Sequence, residues 1–225
     1  MLFLCGLIQN DRDMKKLLVI MLCVLSIANK ASAKGAGYFY FKLTDIEVTN
    51  RNKGTFSNEQ TRHGIEFSNY SDESIDAEFV INPTHVSLVL KNKTDYTVKI
   101  FWDEAVFVDL GNVSTPVIHE GTKFIKKDET QLPSIIIKGS ILDDLIIPKN
   151  KITYLTGKNG GWRIGRIFSY RERTEGKIIK FHIPIEINEE KVEYTFTFAS
   201  NYEIVKKVRL RNTGYRLIRY YEIRR

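Results

Sequence analysis

The sequence predicts an all-β protein, an antiparallel β-sandwich of two packed sheets. Three observations carry that expectation. Apolar and polar side chains alternate with a period of two over several segments, the period of a strand with one face buried. Short apolar segments are separated by turn-forming residues. No segment of ten or more residues holds a convincing 3.6-residue apolar period, and the best helical candidate, 202–210, is poor.

The elements follow in chain order. Residues 1–33 read as a leader and signal peptide. Met14-Lys15-Lys16 is a basic start, 17–28 is mostly apolar, and Ala31-Ser32-Ala33 supplies the small-x-small pattern of a signal-peptidase site. The apolar run is shorter than the roughly 20 residues that span a bilayer. Residues 1–13 look like an upstream start or an extended leader. Cys5 follows Leu2-Phe3-Leu4 and Cys23 follows Ile20-Met21-Leu22, so neither sits in a lipobox. The expected product is extracytoplasmic, periplasmic or secreted, after cleavage near Ala33; retention of the leader as an anchor is the alternative. The mature chain then holds no cysteine, and its core must rest on packing rather than disulfides.

Residues 34–64 form an N-terminal arm or an added edge strand, with a strand expected over 38–48. The polar segments 54–59 and 69–76 read as loops. Residues 65–200 form the sandwich domain. Val86, Leu88 and Leu90 alternate with polar neighbours, 92–95 turns the chain, and Val98, Ile100 and Trp102 alternate again, which predicts a hairpin. Shorter strands are expected over 65–67, 78–81, 106–109, 116–119, 134–137, 143–147, 152–155 and 163–168. The clearest pair comes last. Ile179, Phe181, Ile183, Ile185 and Ile187 share one face, 188–190 turns, and Val192, Tyr194, Phe196 and Phe198 face inward. Pro184 lacks a backbone donor, so its strand is expected at a sheet edge or with a bulge. Residues 201–225 form a basic C-terminal extension.

The chain resembles a family of uncharacterised exported bacterial proteins in several motifs. These are Asn92-Lys93-Thr94, Trp102-Asp103-Glu104-Ala105 with Phe107-Val108-Asp109, Val117-Ile118-His119-Glu120-Gly121, Pro133-Ser134, Gly160-Gly161-Trp162, and the closing segments Pro184-Ile185-Glu186-Ile187 and Glu193-Tyr194-Thr195-Phe196. The resemblance implies an immunoglobulin-like β-sandwich of the cell envelope. It implies no reaction.

Charge is uneven. The formal net charge is +7 for the whole chain. Lys206, Lys207, Arg209, Arg211, Arg216, Arg219, Arg224 and Arg225 stand against Glu222 in the last twenty residues. Interleaved with Tyr215, Tyr220 and Tyr221, these cations suit an anionic polymer or a membrane surface; outside the cytoplasm nucleic acid is the poorer fit. The alternative is a last strand, 215–223, with a solvated basic face.

The other candidates are set against plainer roles. Trp102, Asp103, Glu104 and Asp109 could ligate calcium, but the alternating acids and glycine of a calcium loop are missing; Trp102 in the core and Asp103 capping backbone N–H groups is the plainer reading. His119 and Glu120 could join His63, His85 or His182 at a metal, but these histidines lack the spacing of a zinc site. No G-x-S-x-G, mature Cys or S-x-x-K points to a nucleophile, Ser140 reads as a turn residue, and Asp143-Asp144 and Glu189-Glu190 read as solvated loop charges. The loop 157–163 has Gly and Lys without phosphate-loop spacing; Trp162 is expected to fold back on the body or to stack on a ligand. No cofactor or metal is expected. The function expected is a noncatalytic exported envelope protein that binds a partner protein or an envelope polymer. An exported hydrolase acting on glycan or ester, and an anionic-surface binder working through the basic tail, are the alternatives.

Overall fold

Alternation of apolar and polar side chains resolves into strands, with no α-helix, in a computed structural model that describes residues 36–60 and 66–205. In order these are β1 (Ala36–Val48), β2 (Thr55–Gln60), β3 (Glu66–Ser71), β4 (Ile75–Ile81), β5 (Val86–Asn92), β6 (Val98–Ile100) and β7 (Val106–Val108). There follow β8 (Ser114–Ile118), β9 (Ser134–Ile136), β10 (Ile141–Pro148), β11 (Ile152–Leu155), β12 (Gly161–Ile164), β13 (Ile178–Ile187) and β14 (Glu190–Val205). Two 3-10 turns, Phe124–Lys126 and Lys149–Lys151, interrupt them.

Pairing is antiparallel and nearly continuous, in the order β1-β14-β13-β7-β8-β10-β5-β4-β3-β2, with β6 beside β13 and β9 beside β6. The sheet curls so that its two terminal strands meet. The Leu43 N–H of β1 donates to Asn58 Oδ1 of β2 (3.0 Å), and Asn58 Nδ2 donates back to the Leu43 carbonyl (2.9 Å). One side-chain amide thus stands in for a backbone rung, and a sandwich becomes a nearly closed barrel. Backbone groups at a sheet end must find partners or water, and this seam supplies them.

The enclosed space is filled by the inward positions of the alternating strands. Leu43, Tyr70, Phe79, Leu88, Phe107, Phe181 and Phe196 are among the buried side chains. Phe196 lies 4.5 Å from Phe79 and 5.5 Å from Tyr70, ring centre to ring centre, with tilted or edge-on faces. Each such side chain contributes about 1.5–3 kcal/mol by leaving water. With Cys5 and Cys23 outside the described residues, this packing holds the fold without a cross-link there.

Four expectations are corrected. The segments 86–92 and 98–102 do not form a hairpin: β5 pairs with β4 and β10, whereas β6 pairs with β13 and β9. Asn92 turns the corner between them, because its buried side chain accepts from the Thr94 N–H and donates to the Tyr96 and Ile136 carbonyls. The polar segment 54–59 contains most of β2, and 69–71 belongs to β3. Cross-strand pairing there outweighs polar composition, since β2 closes the barrel although five of its six residues stay exposed. Pro184 sits in the interior strand β13, paired with Glu193, and not at an edge. Its other flank falls in the gap between β6, opposite Ile185–Ile187, and β7, opposite Lys180–His182, where no donor is required. Finally, the helical candidate 202–210 begins as strand, since β14 continues to Val205; the rest lies outside the described residues.

Candidate functional site

Two constellations gather the chemistry-bearing side chains. The first forms where β8 and β10 pair, with Ile118 opposite Ile147. Trp102 follows β6 and is fully buried, and its indole N–H donates to Ser134 Oγ (2.8 Å). The His119 ring stacks on it, 4.8 Å between centres and 10° from parallel. Beyond the stack, His119 Nδ1 meets Asp144 Oδ2 at 3.0 Å. Asp144 Oδ1 accepts the N–H groups of Glu120 (2.7 Å) and Leu145 (2.8 Å). Buried Gln131 donates from Nε2 to the Val117 carbonyl (2.8 Å), and its own N–H donates to the Asp103 carboxylate (3.0 Å).

This corrects the reading of Asp144 as a solvated loop charge. It is 3 % exposed and lies within β10. The signal was present: Leu142, Asp144 and Ile146 share the inward face of one alternating strand, so Asp144 occupies a core position that needs partners. Gln131 carried no such signal, because its partners lie 9 or more residues away in sequence.

The remaining candidates spread apart. Glu104 pairs with Lys191. Asp109 accepts the N–H groups of Gly111 (2.9 Å) and Val113 (3.1 Å) and closes the turn between β7 and β8. His85 bonds Thr84, and His182 bonds Thr195. Among the described residues, no three His, Cys, Asp or Glu side chains stand close enough to hold a metal ion. His63 and the cations of 206–225 lie outside the described residues. An open depression lined by Phe39, Arg171, Arg173, Glu175 and Tyr202 contains none of the candidates.

Asp144 with His119 is chemically the acid–imidazole half of a nucleophile-activating triad. No hydroxyl is hydrogen-bonded to the imidazole among the described residues. What the geometry does accomplish is mechanical. A buried carboxylate, an imidazole and a carboxamide fasten the loop 119–133 to β10 and cover the face of Trp102.

The second constellation is the hairpin β11–β12, which forms its own two-stranded sheet apart from the main one. Tyr154 stands opposite Trp162, with ring centres 5.3 Å apart, and Phe124 meets Trp162 at 6.0 Å. Ile152 roots the hairpin in the interior, whereas Tyr154 and Leu155 are exposed. The tip requires glycine: a Cβ on Gly160 would lie 2.6 Å from the Leu155 carbonyl oxygen. Trp162 is half-buried, with Tyr154 and Phe124 as ring neighbours.

Cations are dense in the segments that carry these rings. Residues 145–171 contain Lys149, Lys151, Lys158, Arg163, Arg166 and Arg171 and no acid, and Lys123, Lys126 and Lys127 flank Phe124. Lys126 and Lys127 are matched by Glu129 and Asp128. Lys123, Lys158 and Arg166 form no ion pair among the described residues. An acid-free window next to an aromatic pair was legible in the sequence, but the larger charge of the tail drew the reading away from it. Comparison with known proteins adds nothing to either constellation: no family model, no curated protein and no solved structure matches this chain.

Proposed function

We propose that this chain is a noncatalytic, exported envelope module that binds an anionic envelope component through the β11–β12 hairpin and the adjoining Phe124 turn. The single observation that carries the reading is the acid-free run of cations over 145–171, which carries the Tyr154 and Trp162 rings, together with Lys123 beside Phe124. Unpaired cations attract a polyanion over about a Debye length, and the exposed Tyr154 ring with the half-buried Trp162 and Phe124 adds short-range contact. The polar side chains that would suit a reaction are engaged otherwise. Asp144, His119, Gln131 and Asp103 spend their hydrogen bonds on each other and on backbone groups. The export signal over 1–33 supports an extracytoplasmic address. The fully buried Trp102 and the layered antiparallel strands support an immunoglobulin-like variant of the sandwich.

A second reading places the contact on the tail cations Lys206, Lys207, Arg209, Arg211, Arg216 and Arg219, favoured by their density in the sequence. Titration with polyphosphate separates the two. Full-length protein carrying Lys123→Gln, Lys158→Gln and Arg166→Gln is compared with protein in which Arg209, Arg211, Arg216 and Arg219 become Gln. The hairpin reading expects the larger loss of affinity in the first. A larger loss in the second moves the site to the tail. Turnover of an envelope ester or glycan that disappears with His119→Ala overturns the noncatalytic assignment.

A further inference from the structure

We infer that the β11–β12 hairpin is an interfacial anchor for an anionic lipid bilayer, an inference that rests on the anionic-component reading and names its source. Cations alone would suit any polyanion. Four further features select a bilayer.

First, the apolar groups near the cations face water. Ile125 is 76 % exposed, Tyr154 59 % and Leu155 49 %. A soluble polyanion gives an isoleucine or a leucine nothing apolar to enter. The boundary between headgroups and acyl chains accepts both an apolar side chain and the cation beside it. Second, the rings are of the types that favour that boundary. Trp162 and Tyr154 each join an apolar body to one polar N–H or O–H, and they stand edge to face. Third, the hairpin is built to project. Its strands hydrogen-bond to each other and not to the main sheet, and every residue from 153 to 160 is exposed. Fourth, Lys123, Lys158 and Arg166 are exposed and unpaired among the described residues, so seating them among phosphates breaks no ion pair there. The mode inferred is adsorption through the hairpin.

Tryptophan fluorescence tests this on the full chain. Trp102 is fully buried and Trp162 is half-exposed, so a change on adding vesicles reports Trp162. Vesicles of phosphatidylcholine with phosphatidylglycerol, carrying brominated acyl chains, are compared with phosphatidylcholine alone. The inference expects a blue shift and quenching with the anionic vesicles only, and loss of both signals in Trp162→Phe. Lys123→Gln, Lys158→Gln and Arg166→Gln together weaken partitioning, by about fivefold per cation at low ionic strength. Vesicle binding without quenching of Trp162 overturns the inference, because another segment then carries the contact. Binding of polyphosphate with no binding of vesicles also overturns it and leaves the function proposed above standing. Failure to bind either probe removes both.

Discussion

Asp72 is a tie point of the fold that no motif in the sequence marked. Its Oδ2 accepts the phenol protons of Tyr70 and Tyr194, each at 2.9 Å, and its Oδ1 accepts the N–H groups of Ser74 (2.7 Å) and Ile75 (2.8 Å). One carboxylate thereby ties the β3–β4 turn to β14. Burial, and then the hydrogen bond or charge of Asp72, push both phenols well above their ordinary pKa, so they stay donors. Asp72→Ala strands four donors and is expected to cost about 2–4 kcal/mol, read from the urea midpoint. A cost under about 1 kcal/mol would mean that water replaces the carboxylate. His85 gives a pH signature. Burial holds its imidazole below the ordinary 6.5. As pH falls below that value the unfolded chain takes the proton first, so folding stability drops. The drop is bounded by about 1.4 kcal/mol per pH unit. His85→Gln should remove that share of the acid slope, measured by denaturant titrations between neutral and mildly acid pH. An unchanged slope would place the proton elsewhere.

At the scale of elements, period-two alternation was the dependable signal. The 178–198 pair was legible because ten consecutive register pairs keep the same faces inward. Partners of short strands were not legible. Nothing in 86–102 says that the chain leaves one layer and enters the other at Asn92; that depends on a buried amide whose Ile136 partner lies 44 residues on. Pro184 misled for a related reason: a proline needs a missing donor site, and an interrupted neighbour supplies one as well as an edge does. The seam between β1 and β2 makes its own prediction. Asn58→Ala removes both rungs to Leu43 and should cost about 1–3 kcal/mol, with faster exchange of the Leu43 amide proton. Exchange that stays slow would show that Ser68 Oγ, 3.1 Å from the same N–H, carries the seam alone. The isolated β11–β12 hairpin should exchange well before β13 and β14, since two strands alone are marginally stable.

At the scale of the whole molecule, what matters is where charge and apolar surface fall on the nearly closed barrel of the described strands. The fold class was readable because alternation recurs along most of the chain. The candidate site was only partly readable. Trp102, His119 and Trp162 carry uncommon chemistry and stood out, but the partners that decide their roles, Asp144 and Phe124, come from distant segments. The resulting division is between polar residues locked into loop anchoring and a hairpin left with bare cations and rings. The measurement that tests this division most directly is the slope of log affinity for polyphosphate against log salt concentration. Wild type is compared with the Lys123→Gln, Lys158→Gln, Arg166→Gln protein. The account predicts a slope shallower by about one for each cation removed. Parallel lines for the two proteins would contradict it.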